Sequence, residues 1–134
     1  MAESFNHFGS IADALPKVLG QVVRKTAFDG LAHMQGFIRS NGQIDTGFMI
    51  NSGYVVTDTE STYSGGAKAL PEIPRSDSPT IAYIAWAAFY AYWQNYGTRF
   101  IPGRPFVEPG IEATRPEFEA ACAAIEAKLA EAAR

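Results

Sequence analysis

The residues best suited to chemistry are Asp45, Thr46 and Gly47, which follow one another in the chain. Two such aspartates that face each other across a dimer axis can share one proton, and can then act as general acid and general base. The triplet therefore suggests one catalytic hypothesis, which is hydrolysis by a homodimer. Its context argues against that hypothesis, because the triplet follows a long predicted helix and the bulky Phe48 comes directly after it.

Dimeric aspartic proteases carry this triplet in a buried β loop and place a small residue after it. They also have a later apolar-Gly-Arg segment that supports the catalytic loop, and this chain lacks that segment. A dimeric aspartic protease that uses Asp45-Thr46-Gly47 is therefore the alternative interpretation, not the preferred one.

The other reactive side chains do not form a constellation in the sequence. His7 and His33 are the two histidines, and we expect His33 to be a structural histidine rather than a metal ligand. Cys122 lies on an apolar helix stripe without a basic neighbour that would lower its pKa. Ser64-Gly65-Gly66 lacks the lysine and the strand–helix context of a phosphate loop. We predict no catalytic residue, no metal and no cofactor.

Composition indicates one folded domain of 134 residues, with 47% apolar and 13% aromatic residues. The net charge of −3 argues against a basic face for duplex DNA. One cysteine allows no internal disulfide, which favours synthesis in a reducing compartment. No apolar run approaches the ~20 residues of a membrane helix, and the N-terminus lacks a signal-peptide pattern. We expect a protein made in the cytoplasm, with no membrane partner.

Apolar periodicity and turn residues divide the chain into six segments of one α+β domain. We predict a small antiparallel sheet that is packed by a long N-terminal helix and a C-terminal helix, with a long loop between strands. The segments are an arm (1–11), a helix (12–41), a turn and strand (45–57), a long loop (58–79), a strand with an aromatic hinge (80–104) and a helical C-terminus (105–133).

The first helix has a plausible N-cap at Asp13 and a natural stop at Asn41-Gly42. Its three internal glycines, Gly20, Gly30 and Gly36, predict either close packing against a neighbour or local fraying. The loop at 58–79 has no apolar period. Loops of that length are usually functional or disordered, so it is either exposed to solvent or ordered against a partner.

The segment 80–89 is ambiguous between strand and helix, and we favour a strand that ends in a helical turn near Tyr90. Thr114-Arg115-Pro116-Glu117 has the spacing of a capping box, so a shorter helical segment is expected before it, with a bend at Pro116. The last helix has one apolar stripe, formed by Phe118, Ala121, Cys122, Ile125 and Leu129.

Aromatic residues are dense between 86 and 100, namely Trp86, Tyr90, Tyr92, Trp93, Tyr96 and Phe100. They form either core or a protein interface, where tyrosine and tryptophan are enriched. Stacking on single-stranded nucleic acid is less favoured, because only Arg99 and Arg104 lie near them. Arg104 has two predicted roles, which are binding helix-terminal carbonyls and pairing across a subunit boundary.

The ordered motifs resemble the tail-completion, or tail-component, family of lambda-like tailed bacteriophages. The resemblance spans roughly residues 12–130, and Asn95 departs from the glutamate that is common in the family. The matching residues are Asp45, Thr46, Gly47, Met49 and Ser52; Tyr90, Ala91, Tyr96, Gly97 and Thr98; and Arg104, Pro105, Phe106, Val107 and Pro109.

The resemblance implies a non-enzymatic virion protein of the phage neck, without a cofactor. Copies would form a six- or twelvefold ring that joins the connector or adaptor to the tail tube, and DNA would only pass through its lumen. A host-encoded adaptor derived from a prophage fits the same sequence. We expect partner contacts from Tyr92, Trp93, Tyr96, Arg99, Arg104, Phe106, Tyr63 and Glu60.

Overall fold

The computed structural model describes residues 2–43, 47–66 and 69–132, and the side chains of 13–43, 47–66 and 69–131. The elements run α1 (Ala2–Ser40), α2 (Phe48–Asn51), β1 (Gly53–Val56), β2 (Tyr83–Trp86), α3 (Ala91–Tyr96) and α4 (Val107–Ala132). This confirms the predicted α+β class, with a two-stranded antiparallel sheet and a long helix at each end of the chain.

Helix α1 is longer than the sequence predicts at one end and ends as predicted at the other. It begins at Ala2, so the expected arm at 1–11 is wrong over its described residues and Asp13 is not an N-cap. Residues 2–12 contain no proline, and the single Gly9 does not stop the helix. At the other end Gly42 has φ 69°, and the N–H of Gln43 donates to the carbonyl of Ile38 at 3.1 Å. This is the Schellman stop that a glycine favours.

The two strands pair in one register, with Tyr54 opposite Ala85 and Val55 opposite Ile84. Because side chains alternate along a strand, Val55 packs with Leu31 of α1, whereas Tyr54 and Val56 face the other way. Both faces of β1 are therefore covered. The prediction of a strand that leads into a helical turn at Tyr90 is confirmed, because Tyr90 is the N-cap of α3.

The loop at 58–79 covers the second face of β1. Its backbone is tied to the sheet region by hydrogen bonds from Thr62 N to Val55 O (3.0 Å), from Ser76 N to Thr57 O (3.2 Å) and from Ile73 N to Tyr54 Oη (3.1 Å). The described part of the loop is bonded to its own chain, so of the two alternatives the structure does not require a partner for order. Backbone hydrogen bonding orders a segment that has almost no apolar pattern.

Helix α4 runs antiparallel to α1, since Gly30 lies near Thr114 and Met34 lies near Gly110. Thr114 is buried and donates to the carbonyl of Gly110 at 2.7 Å, so the predicted capping box is wrong and lies inside the helix. One helix continues through Pro116. The predicted close packing is confirmed at Gly30 and Gly20, whereas Gly36 has open space beside it.

Candidate interaction surface

Residues 97–103 form a tight, internally bonded turn. The N–H of Thr98 donates to the carbonyl of Ile101 at 2.8 Å, and Thr98 Oγ1 accepts the N–H groups of Phe100 and Ile101 at 3.2 and 3.1 Å. Gly97 has φ 86°, a left-handed conformation that glycine adopts without steric cost. The turn holds the Phe100 side chain 82% exposed, with Ile101 also exposed beside it.

Helix α3 adds three exposed rings to this turn. Tyr92 is 65% and Tyr96 60% exposed, their ring centroids lie 4.7 Å apart, and Trp93 is half exposed. We call Tyr92, Trp93, Tyr96, Phe100 and Ile101 the aromatic knob. Large exposed apolar side chains that lie within ten residues of one another mark a candidate interaction site.

The opposite side of α3 anchors the knob to the core. Asn95 is 2% exposed, and its Oδ1 accepts the N–H groups of Phe106 and Val107 at 2.8 and 3.0 Å. These are orphan donors at the start of α4, so Asn95 caps that helix from outside it. Its Nδ2 donates to the Glu108 carboxylate at 3.1 Å.

Arg104 joins the knob region to the end of α1. Its Nη1 donates to the Asn41 carbonyl at 2.9 Å, and Asn41 Nδ2 donates in return to the Pro105 carbonyl at 3.0 Å. Of the two roles predicted for Arg104, the binding of a helix-terminal carbonyl is confirmed. Arg104 thus stabilises the hinge, while its side chain is exposed, and pairing across a subunit boundary stays a prediction.

The predicted contact residues fall into separate places. Tyr92, Trp93, Tyr96 and Arg99 lie together on the exposed α3–turn surface, with the Arg99 guanidinium 4.9 Å from the Phe100 ring centroid. Phe106 is 1% exposed and packs edge-on against Trp86, so the expectation of a partner contact is wrong for it.

Tyr63 and Glu60 lie in the 58–79 loop and make intrachain contacts. Tyr63 Oη donates to the Leu70 carbonyl at 2.7 Å, and its ring packs edge-on against Tyr54 at 5.0 Å. Glu60 forms an ion pair with Arg24 of α1. Both side chains therefore fasten the loop to the domain.

The sequence analysis missed an apolar groove between α1, α4 and the chain leading into β2. The groove has a volume of about 810 Å³, and exposed apolar side chains lie along it. Phe118 belongs to the predicted apolar stripe of the last helix. The other residues that line the groove lie on elements that periodicity does not place side by side. We define the apolar groove by Val23, Ala27, Ile81, Tyr83, Ile111 and Phe118.

The Asp-Thr-Gly motif is described only from its glycine onward, because Asp45 and Thr46 lie outside the described residues. Gly47 has φ 82° and precedes α2, so a helix follows the triplet directly. Ser52, the last residue of the matching set that begins at Asp45, is buried. Its hydroxyl donates to the Met49 carbonyl at 2.7 Å and accepts the Ala88 N–H at 3.1 Å. This end of the motif joins α2 to the end of the sheet.

Three hydrogen bonds lower the pKa of Glu108 from its usual value of 4.5: the bond from its own backbone N–H, then those from Asn95 and Tyr96. A carboxylate with a lowered pKa in the folded state stabilises the fold above its unfolded pKa. We expect this stabilisation to be lost as pH falls below about 4.5 and through the folded pKa.

The free energy of unfolding of Glu108→Gln, measured by urea titration, should change less than that of the unmodified chain between about pH 5 and pH 3. Equal pH profiles would contradict this.

Searches of family models, curated proteins and solved structures found no match to this chain. Among the described residues, no helix is long and apolar enough to cross a membrane. The same part of the chain holds no group of three or more histidine, cysteine, aspartate or glutamate side chains placed to bind a metal ion.

Proposed function

We propose that this chain is a structural protein of the phage neck, a head–tail joining or tail-completion subunit that forms a ring between the connector and the tail tube. The observation that carries the proposal is the aromatic knob, which exposes large rings on a backbone fixed from both sides. Rings on a rigid backbone lose little conformational entropy when a partner covers them. Aromatic residues are also enriched in protein interfaces.

The resemblance to the tail-completion family supports the same function, and its motif residues are the ones that build this architecture. Gly97 and Thr98 form the turn, Arg104 locks the hinge to α1, and Phe106 fills the core beneath it. The motifs thus define a scaffold for presenting the knob. A scaffold that fixes the backbone beneath exposed rings is suited to binding another protein rather than to catalysis.

The loop at 58–79 is proposed to face the ring lumen, where DNA passes. The sequence of this loop has more acidic than basic residues, namely Asp58, Glu60, Glu72 and Asp77 against Lys68 and Arg75, and Glu60 is paired with Arg24. A lumen with negative charge repels the phosphate backbone and lets DNA slide without binding. A ring image that places this loop on the outer wall would refute this part of the proposal.

Immunogold imaging of purified phage particles tests the proposed location. An antibody raised against the chain should label the portal-proximal end of the tail, at one site per particle. Particles that lack the gene for this chain should lose the label and separate into heads and tails. Label along the tail or on the capsid, or none on intact particles, would contradict the proposal.

The aspartic protease alternative makes a different prediction for one substitution. Asp45→Asn should leave the oligomeric state, measured by sedimentation velocity, unchanged if the chain is a structural subunit. A protease would lose peptide cleavage with this substitution, because the shared proton requires a carboxyl group on each copy. Cleavage of a peptide library at acidic pH by the unmodified chain, and its loss in Asp45→Asn, would favour the protease.

A further inference from the structure

The aromatic knob and the apolar groove are both unpartnered apolar surfaces of opposite shape. The knob projects, because Phe100 and Ile101 stand at the tip of the turn at 97–103. The groove is a concavity of about 810 Å³, within the range of volumes that bind compact apolar groups. One chain thus carries a projection and a cavity that suits it.

Each surface also carries one charge that is unpaired within the described residues, Arg99 beside the tip of the turn and Glu119 in the lining of the groove. Residues 97–105 contain two arginines and no acidic residue, and Arg99 makes no ion pair with any described residue. Helix α4, which forms one wall of the groove, contains six glutamates against Arg115 and Lys128. Glu119 lines the groove and has no ion pair within the described chain, whereas Arg115 is paired with Glu112.

We propose that the turn at 97–103 of one copy inserts Phe100 and Ile101 into the apolar groove of a second copy of this chain, with Arg99 facing Glu119. The inference rests on the proposed function in one respect, namely that copies of the chain contact each other. The inference specifies which two surfaces of the chain form that contact. Each copy uses two different surfaces, so the contact is heterologous and repeats from copy to copy until a ring closes.

Charge exchange tests the orientation of the contact. Arg99→Glu and Glu119→Arg, each alone, should weaken self-association measured by sedimentation equilibrium, because each places like charges across the interface. The double variant should recover most of the lost association, since it restores the pair with reversed signs. A double variant that associates no better than either single variant would overturn the proposal.

Truncation of the tip tests the apolar part of the contact. Phe100→Ala should raise the dissociation constant about 100-fold if Phe100 is a buried anchor. Leu70→Ala is the matched control, because Leu70 is also an exposed apolar side chain but lies outside both surfaces. The control should associate like the unmodified chain. Equal effects of the two substitutions would contradict the assignment of Phe100.

Thiol cross-linking separates this inference from the proposed function. Pro102→Cys and Thr80→Cys, each in a Cys122→Ala background, place single thiols in the turn and in the lining of the groove. A short bis-maleimide should join the two variants when they are mixed, and should join neither variant to itself. Cross-linking of Pro102→Cys to itself, or no self-association of the unmodified chain at any accessible concentration, would refute the contact. Labelling of the particle neck could still succeed in that case, so the two failures are distinguishable.

Discussion

Gly110→Ala is expected to lower the free energy of unfolding by about 2 kcal/mol or more. A Cβ at position 110 would collide with the Met34 side chain and lie 3.2 Å from the backbone N and Cα of Met34. The side chain can rotate away, but the backbone of α1 cannot move without separating the two long helices. The new methyl group therefore forces α4 away from α1 along a contact that buries Met34 and Phe106. Urea titration of the purified variant measures the loss.

Gly36→Ala is the matched control for that substitution. Gly36 lies two residues beyond Met34 in α1, it is exposed, and no atom lies within 4 Å of the position its Cβ would take. Alanine there should raise the free energy of unfolding by up to about 1 kcal/mol, because alanine has the higher helix propensity. The same substitution should thus have opposite signs at positions 110 and 36. A loss at both positions, or at neither, would show that helix spacing does not control the stability of this domain.

The difference between these two glycines shows what the sequence can predict. Gly20, Gly30 and Gly36 look alike in the sequence, and only the structure shows that Gly30 lies against Ile84 and Thr114 while Gly36 has open space beside it. No local pattern predicts the role of Gly110, because that role depends on the packing of Met34, which lies 76 positions earlier in the chain. Local signals did predict the α+β class and the stop at Asn41-Gly42, since those depend on neighbours in the chain.

The helical start near residue 106 was predicted correctly, but the capping box at 114–117 was predicted wrongly, for a related reason. Thr114 to Glu117 have capping-box spacing, but the helix begins at Val107 because Asn95 supplies the cap across a turn of the chain. A cap that lies 12 residues away leaves no periodic or local signal. The exposed knob was partly predictable from the density of its rings. The groove was not, because an amphipathic stripe does not reveal whether its own chain covers it.

Asn95→Ala is the second substitution with a large expected effect, a loss of about 3 kcal/mol in the free energy of unfolding. It removes the acceptor for the N–H groups of Phe106 and Val107, and loss of an N-cap side chain costs about 1–2 kcal/mol. The Phe106 N–H is buried, and an unsatisfied buried donor adds about 1–3 kcal/mol. Urea titration near neutral pH measures the sum.

Asn95→Asp separates the cap from the bond to Glu108. Aspartate keeps an acceptor for the two N–H groups, and its negative charge interacts favourably with the positive end of the α4 dipole. It cannot donate a hydrogen bond to Glu108, however, and it places a second carboxylate beside that residue. We therefore expect a smaller loss than with alanine, and a loss that shrinks as pH falls and one carboxyl group is protonated. Asn51→Ala is the control, because Asn51 is exposed and its side chain bonds to no described residue. If Asn95→Asp destabilised as much as Asn95→Ala at every pH, the cap would not be the source of the stability.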